Sequence, residues 1–124
     1  MISNTHQTTE AALVTAIIMQ AYRDLFARVS DTTTSLTTQT DQDQAIAFMT
    51  DDFGKWAQHR NHLCSLIGWD GDVLAARVRR MMLGGAFPDP NASANAAVLA
   101  SHTDAVERVR ARYIHLRTPR SHAA

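Results

Sequence analysis

Apolar residues recur along this chain at intervals of three and four, and no alternating stretch is long enough for a strand. Val14, Ile18, Ala21, Tyr22, Leu25 and Val29 form one stripe, which Leu13, Ile17 and Phe26 widen. This spacing predicts a first helix from Thr8 or Thr9 to Val29, central to the core. The following segment, S-D-T-T-T-S-L-T-T-Q over 30–39, is rich in β-branched hydroxyl residues and reads as a loop. T-D-Q-D from Thr40 resembles a capping box with Asp in place of Glu, and starts a second helix with Ile46, Met49 and Phe53 on one face. A short break near Thr50 to Asp52 precedes a third helix, whose inner side carries Phe53, Trp56, Ala57, Leu63, Cys64 and Ile67. A fourth helix, Gly71 to Met82, buries Leu74, Val78 and Met81 and turns Arg77, Arg79 and Arg80 elsewhere. Gly84-Gly85 stops it, and 84–92 is a Gly/Pro-rich connector broken by Pro88 and Pro90. A last helix from Ser93 or Asn95 to Leu116 carries Val98, Ala105, Val106, Val109, Tyr113 and Leu116, followed by a frayed tail over 118–124. The pattern predicts an all-α fold: one domain over 1–124, a small bundle of four to five helices.

The clearest local signal is a helix-turn-helix-like corner at Trp56–Met82. Gly68 suits the left-handed conformation that closes a helix, and Asp70 suits the cap of the next one. Trp69 before that cap and Leu74 after it are spaced as a hydrophobic staple. These signals place Trp56, Leu63, Cys64, Ile67, Leu74 and Val78 in the interior.

Composition narrows the class. A chain of 124 residues that is 45% hydrophobic is long enough for one modest core. The single cysteine, Cys64, excludes an internal disulfide, which fits a reducing, cytoplasmic setting. No basic-then-apolar leader opens the sequence, and the longest apolar run, Ala11 to Met19, is too short to span a bilayer. Formal charge is zero, but residues 1–54 hold seven acids and two bases, whereas residues 55–124 hold ten bases and five acids. That polarity suits a charged partner or self-association as a dimer. Eleven of the twelve bases are Arg, the residue that makes bidentate bonds to phosphate and carboxylate. An Ala- and Arg-rich composition is also what a GC-rich genome produces.

Candidate chemistry is sparse. His59, His62 and Cys64 lie close in sequence, but Cys64 projects from another side of the helix and no second cysteine exists, so no metal site is expected. Asp51-Asp52 and Asp70/Asp72 fall at helix starts, where capping explains them. No nucleophile elbow, phosphate-binding glycine loop or dinucleotide fingerprint is present. The reading is therefore a non-enzymatic protein without a cofactor. A groove-reading use of the corner would put Gly71 and Asp72 first against DNA, and an acid there repels phosphate. The arginines are the better candidates for binding a partner: Arg77, Arg79 and Arg80 on the fourth helix, and Arg108, Arg112 and Arg117 on the last.

The stretch A-I-A-F-M-T-D-D-F-G-K-W-A-Q-H-R-N-H-L-C-S-L-I-G-W-D-G-D-V-L-A-A-R-V-R-R resembles a short motif in small, mostly uncharacterised proteins of phages and prophages in alphaproteobacteria. Trp56, Arg60, Cys64, Gly68, Asp70 and the Arg-rich helix carry the resemblance, while Trp69 and Gly71 depart from it. It implies an accessory or regulatory role in a phage-like element. Two readings follow. In the one the sequence favours, the six arginines, drawn from two helices that could converge, bind a DNA or RNA backbone. In the other, the chain is a protein-interaction or self-assembly module that uses the same charged surfaces to meet a host or phage protein or a second copy.

Overall fold

The computed structural model describes residues 2–29, 38–88 and 95–118, with side chains from residue 9 onward. It contains five helices: α1 (Ile2–Leu25), α2 (Gln39–Thr50), α3 (Lys55–Leu66), α4 (Gly71–Met82) and α5 (Ala96–Arg117). No strand occurs among the described residues. The all-α bundle expected from periodicity is what forms.

Helix α1 starts earlier and ends earlier than its stripe suggests. Its first turns, Ile2 to Thr8, lack apolar periodicity, so spacing gave no sign of them. The helix stops at the fully buried Leu25, and Phe26 and Ala27 donate turn hydrogen bonds to Arg23 and Asp24. Val29 lies beyond this end. Only the narrow stripe of Val14, Ile18 and Leu25 is buried, while Leu13 and Ile17 face solvent.

Helix α2 is capped by Thr38, two residues before the expected Thr40. The Asp41 N–H donates to Thr38 Oγ1 and the Thr38 N–H donates to Asp41 Oδ2, each at 3.1 Å. Both registers have the spacing of a capping box. In the observed one, Asp43 is free to pair with Arg112 on α5. Thr38 and Gln39 thus belong to the helix start, and the rest of the expected Thr-rich loop, 30–37, lies outside the described residues. Gln42 is buried and donates to the carbonyl of Leu25 at 3.1 Å, so α2 closes the end of α1.

Phe53 is the clearest departure from the expected core. It is 82% exposed, because it falls in the non-helical link 51–54, where Gly54 has φ +91° and helical periodicity does not carry through.

The α3–α4 corner forms as its local signals require. The N–H of Gly68, at φ +76°, donates to Ser65, and that of Trp69 donates to Cys64 at 2.9 Å. This pair of bonds is a Schellman ending. Asp70 Oδ1 then accepts from Asp72 and Val73 at the start of α4. Leu63, Cys64 and Val78 are buried, and Trp56, Ile67 and Leu74 pack half-buried against the core. On α4 the fully enclosed side chains are Ala75, Val78 and Met82, with Met81 and Leu74 at the margin. Helix α4 ends in a second Schellman motif, with Gly84 donating to Met81 and Gly85 to Arg80.

Phe87 in the connector is buried edge-on to Phe26, with ring centroids 5.3 Å apart. The connector beyond Pro88, a helix start at Ser93 and the tail 119–124 lie outside the described residues. Asn95 caps α5 by accepting from Val98. Val106, Val109 and Tyr113 join the common core, while Val98 and Leu116, the ends of the expected stripe, are exposed.

Gly68 and Gly71 make opposite demands. A Cβ on Gly68 would meet open space, so only its positive φ excludes other residues. A Cβ on Gly71 would lie 2.9 Å from the Cα of Asn61, where α4 crosses α3. Gly68→Ala should cost about 1 kcal/mol, a backbone penalty that Gly68→Asn largely avoids. Gly71→Ala should cost roughly 1–3 kcal/mol, because backbone cannot swing aside. Urea denaturation of the three variants checks this; equal losses for Gly68→Ala and Gly68→Asn would refute the backbone explanation.

Candidate interaction surfaces

Most of the arginines that make the second half basic are engaged inside the protein. Arg60 is fully buried, and its Nη1 donates to the carbonyls of Phe48 at 3.1 Å and Asp51 at 2.6 Å. Arg79 donates to the carbonyl of Thr50 at 2.8 Å. Arg110 donates to Met81 at 2.9 Å and Gly85 at 2.5 Å. Arg60 and Arg79 thereby satisfy carbonyls at the negative pole of α2, and Arg110 bonds one carbonyl in the last turn of α4 and one just beyond it.

The six candidate arginines divide. Arg79 holds the end of α2. Arg112 makes a bidentate pair with Asp43, at 2.8 and 2.7 Å. Arg108 pairs with Asp104 one turn earlier. Arg117 lies over the Tyr113 ring, 5.3 Å from its centroid. Arg77 and Arg80 are exposed. Arg108 and Arg112 line one cleft of about 760 Å³ together with Arg28 and His115. Arg77 lines a different groove on α4 that shares no residue with that cleft.

The leading end of α4, which a groove-reading helix would present, is packed against α3. Gly71 is buried there, and Asp72 Oδ1 accepts from Asn61 at 3.0 Å and sits 3.7 Å from Arg60 Nη2. Burial lowers the pKa of Arg60, opposed by Asp72, yet a guanidinium stays charged across the working range. Burial also pushes the Cys64 thiol up, with Arg60 opposing, so a protonated side chain sits in the core. His59 and His62 are exposed. Among the described residues, no helix is long and apolar enough to cross a membrane.

Three of the concave surfaces are the most relevant to binding. The basic cleft lies between the end of α1, the start of α2 and α5. A smaller groove of about 320 Å³ has Ile17, Phe48 and Trp56 on its walls and Asp24 and Asp41 at its edge. The third, of about 600 Å³, runs between α1 and α4 and is strongly apolar, with Ile18, Tyr22, Phe26, Met49, Trp69 and Leu74 among its lining residues. Nothing in the sequence pattern drew α1 and α4 together here. The signal that pointed to this surface was the staple pair Trp69 and Leu74, both of which line it, with Trp69 still 44% exposed.

Comparison of the chain with protein-family models, with curated proteins and with solved structures finds no match.

Two outcomes follow from the buried and half-buried arginines. Arg60→Leu strips two carbonyls of their donor and should cost about 3 kcal/mol or more in urea denaturation. A loss below about 1 kcal/mol would show that the carbonyls find other partners. The Arg112 guanidinium holds the Asp43 carboxyl below its ordinary value. A carboxylate depressed in the folded state contributes stability that is present above its unfolded pKa and lost as pH falls through the folded one. Asp43→Asn should therefore cost roughly 1 kcal/mol at pH 7, with the gap to the parent closing as pH drops below about 4. A gap unchanged at pH 2–3 would contradict the ion-pair origin.

Proposed function

We propose that this chain is a protein-interaction module, with no catalytic chemistry of its own, that docks a partner segment in the α1–α4 groove. The observation that carries the reading is the groove itself: a concave apolar surface, partly open to solvent, beside a corner fixed by a Schellman ending and the Asp70 cap. Its volume lies within the range of ligand-binding clefts. Contiguous exposed apolar surface on a small protein marks interaction sites, because leaving it in water is unfavourable. The charged surfaces offer less, since most of their guanidinium groups already have partners within the chain. An accessory role in a phage-like element remains part of this proposal.

Trp69 provides the readout. In a Trp56→Phe background it is the only tryptophan, and burial against a ligand shifts its emission to the blue. Titration with a panel of synthetic amphipathic helical peptides of both charge signs should give a saturable shift. Met19→Glu, at an exposed groove position, should abolish it without unfolding the protein. Absence of any saturable response up to about 1 mM peptide, or weaker than roughly −4 kcal/mol, would overturn the reading.

A second reading, binding of a DNA or RNA backbone, is favoured by the cleft that gathers Arg28, Arg108, Arg112 and His115. Asp104 and Asp43 already pair with two of these arginines, so phosphate must compete with carboxylate. Arg28→Ala with Arg108→Ala leaves the Asp43–Arg112 pair intact. If each contacts one phosphate of duplex DNA, the double variant should flatten the log–log salt dependence of binding by about two units. No mobility shift of DNA or RNA at low salt and about 10 µM protein, weaker than about −7 kcal/mol, would dismiss this reading.

A further inference from the structure

We infer that the segment docking in the α1–α4 groove is an amphipathic α-helix with acidic flanks, an inference that rests on the interaction-module reading. Backbone chemistry selects the helix. The groove is lined mainly by apolar side chains, and no sheet edge among the described residues adjoins it to pair with an extended ligand. An extended segment laid there would bury N–H and C=O groups without partners, whereas a helix satisfies its own. Helices dock in such grooves through anchors at i, i+3, i+4 and i+7. Met19, Met49 and Met81 line the groove, and their unbranched thioethers adapt to differently shaped anchors.

Charge selects the flanks. The residues lining the groove include Arg23 and Arg77 but no Asp or Glu, and Asp70, which lines an adjoining hollow with Trp69, Leu74 and Arg77, is engaged in capping α4. Arg23 stands on the α1 wall and Arg77 on the α4 wall. Both are exposed, and neither makes a hydrogen bond or ion pair with another described residue. They differ in this from Arg60, Arg79, Arg108, Arg110 and Arg112, all of which have partners within the chain. Two guanidinium groups that have no partner among the described residues, on opposite walls of an apolar trench, are placed for carboxylates on either side of a docked helix. By contrast, the smaller groove by Trp56 has acids at its edge.

The test uses two synthetic peptides of about 16 residues, long enough to hold helical structure. Both carry Leu at i, i+3, i+4 and i+7; one has Glu and the other Lys at the flanking positions. Binding is followed by Trp69 emission in the Trp56→Phe protein. The Glu peptide should bind at least roughly tenfold more tightly than the Lys peptide at low salt. The preference should shrink as salt shortens the screening length. The double variant Arg23→Glu/Arg77→Glu should reverse it while keeping the helical circular dichroism of the parent. If the Lys peptide binds as well as or better than the Glu peptide, the acidic-helix inference falls and the docking reading stands. A preference unchanged in the double variant also overturns the inference. If neither peptide binds, both fall. If vesicles of phosphatidylserine and phosphatidylcholine shift Trp69 and the Glu peptide does not, the groove is a lipid-facing surface and the inference is wrong.

Discussion

The Arg60 guanidinium, buried against the carbonyls at the end of α2, is the interaction on which the rest of the bundle depends. A charged group without solvent exposure is costly unless hydrogen bonds replace its hydration. Arg60 meets this demand from three directions: Phe48 and Asp51 carbonyls at the end of α2, the Asn61 side chain on α3, and Asp72 on α4 at a longer distance. Lys could not substitute, because a point charge does not present a planar fork of N–H groups to acceptors spread over three elements. Nη2 has no hydrogen-bond partner among the described residues, only the 3.7 Å approach to Asp72. The same cluster orients Asn61, whose Cα lies against Gly71 and sets how closely α3 and α4 cross. The corner is thus tied to α2 through one side chain.

Charge polarity along the chain has a related explanation. The acidic first half and the basic second half meet within the fold. Asp43 of α2 pairs with Arg112 of α5, and the carbonyls ending α2 accept from Arg60 and Arg79. Bases late in the sequence therefore complement acids and helix ends that come earlier. Net charge by segment overstates what is available to a partner. The exposed guanidinium groups that remain, such as Arg23 and Arg77, matter because of where they stand.

Features set by neighbours in sequence were readable in advance. Gly68, Asp70 and the bounds of α4 are such features, since a Schellman ending and an N-cap need only a few consecutive residues. Thr38 rather than Thr40 caps α2, a register that leaves Asp43 to pair with Arg112, 69 residues away, and local spacing does not distinguish the two registers. Phe53 looked like core because helical spacing was carried through a link that is not helical. Arg60 was not read as buried, although it falls on the face shared by Trp56, Ala57, Leu63 and Cys64, where a charged residue must find buried partners. Its partners could not be named, because backbone carbonyls at a distant helix end leave no mark in a sequence. The groove was legible only in part. Trp69 and Leu74 were singled out as a staple, and Arg77 as a base, but the facing wall of Met19, Tyr22, Arg23 and Phe26 depends on how α1 packs.

These constraints divide the molecule into a stiff part and an adaptable one. Along α2, α3 and α4, close backbone approach at Gly71 and hydrogen bonds to buried carbonyls leave little room for movement. The α4 wall of the groove is attached to that stiff unit. The opposite wall belongs to α1, whose Met19 side chain is exposed, while Met49 and Met81 lie deeper. On the proposed docking reading, a ligand entering here would meet a fixed spacing between two helices and a lining that adjusts by thioether rotation. Preorganised walls limit the conformational entropy lost on binding, and soft side chains let the fit be made without moving backbone. Selectivity in such a site comes less from shape than from what stands at its edges, where Arg23 and Arg77 are.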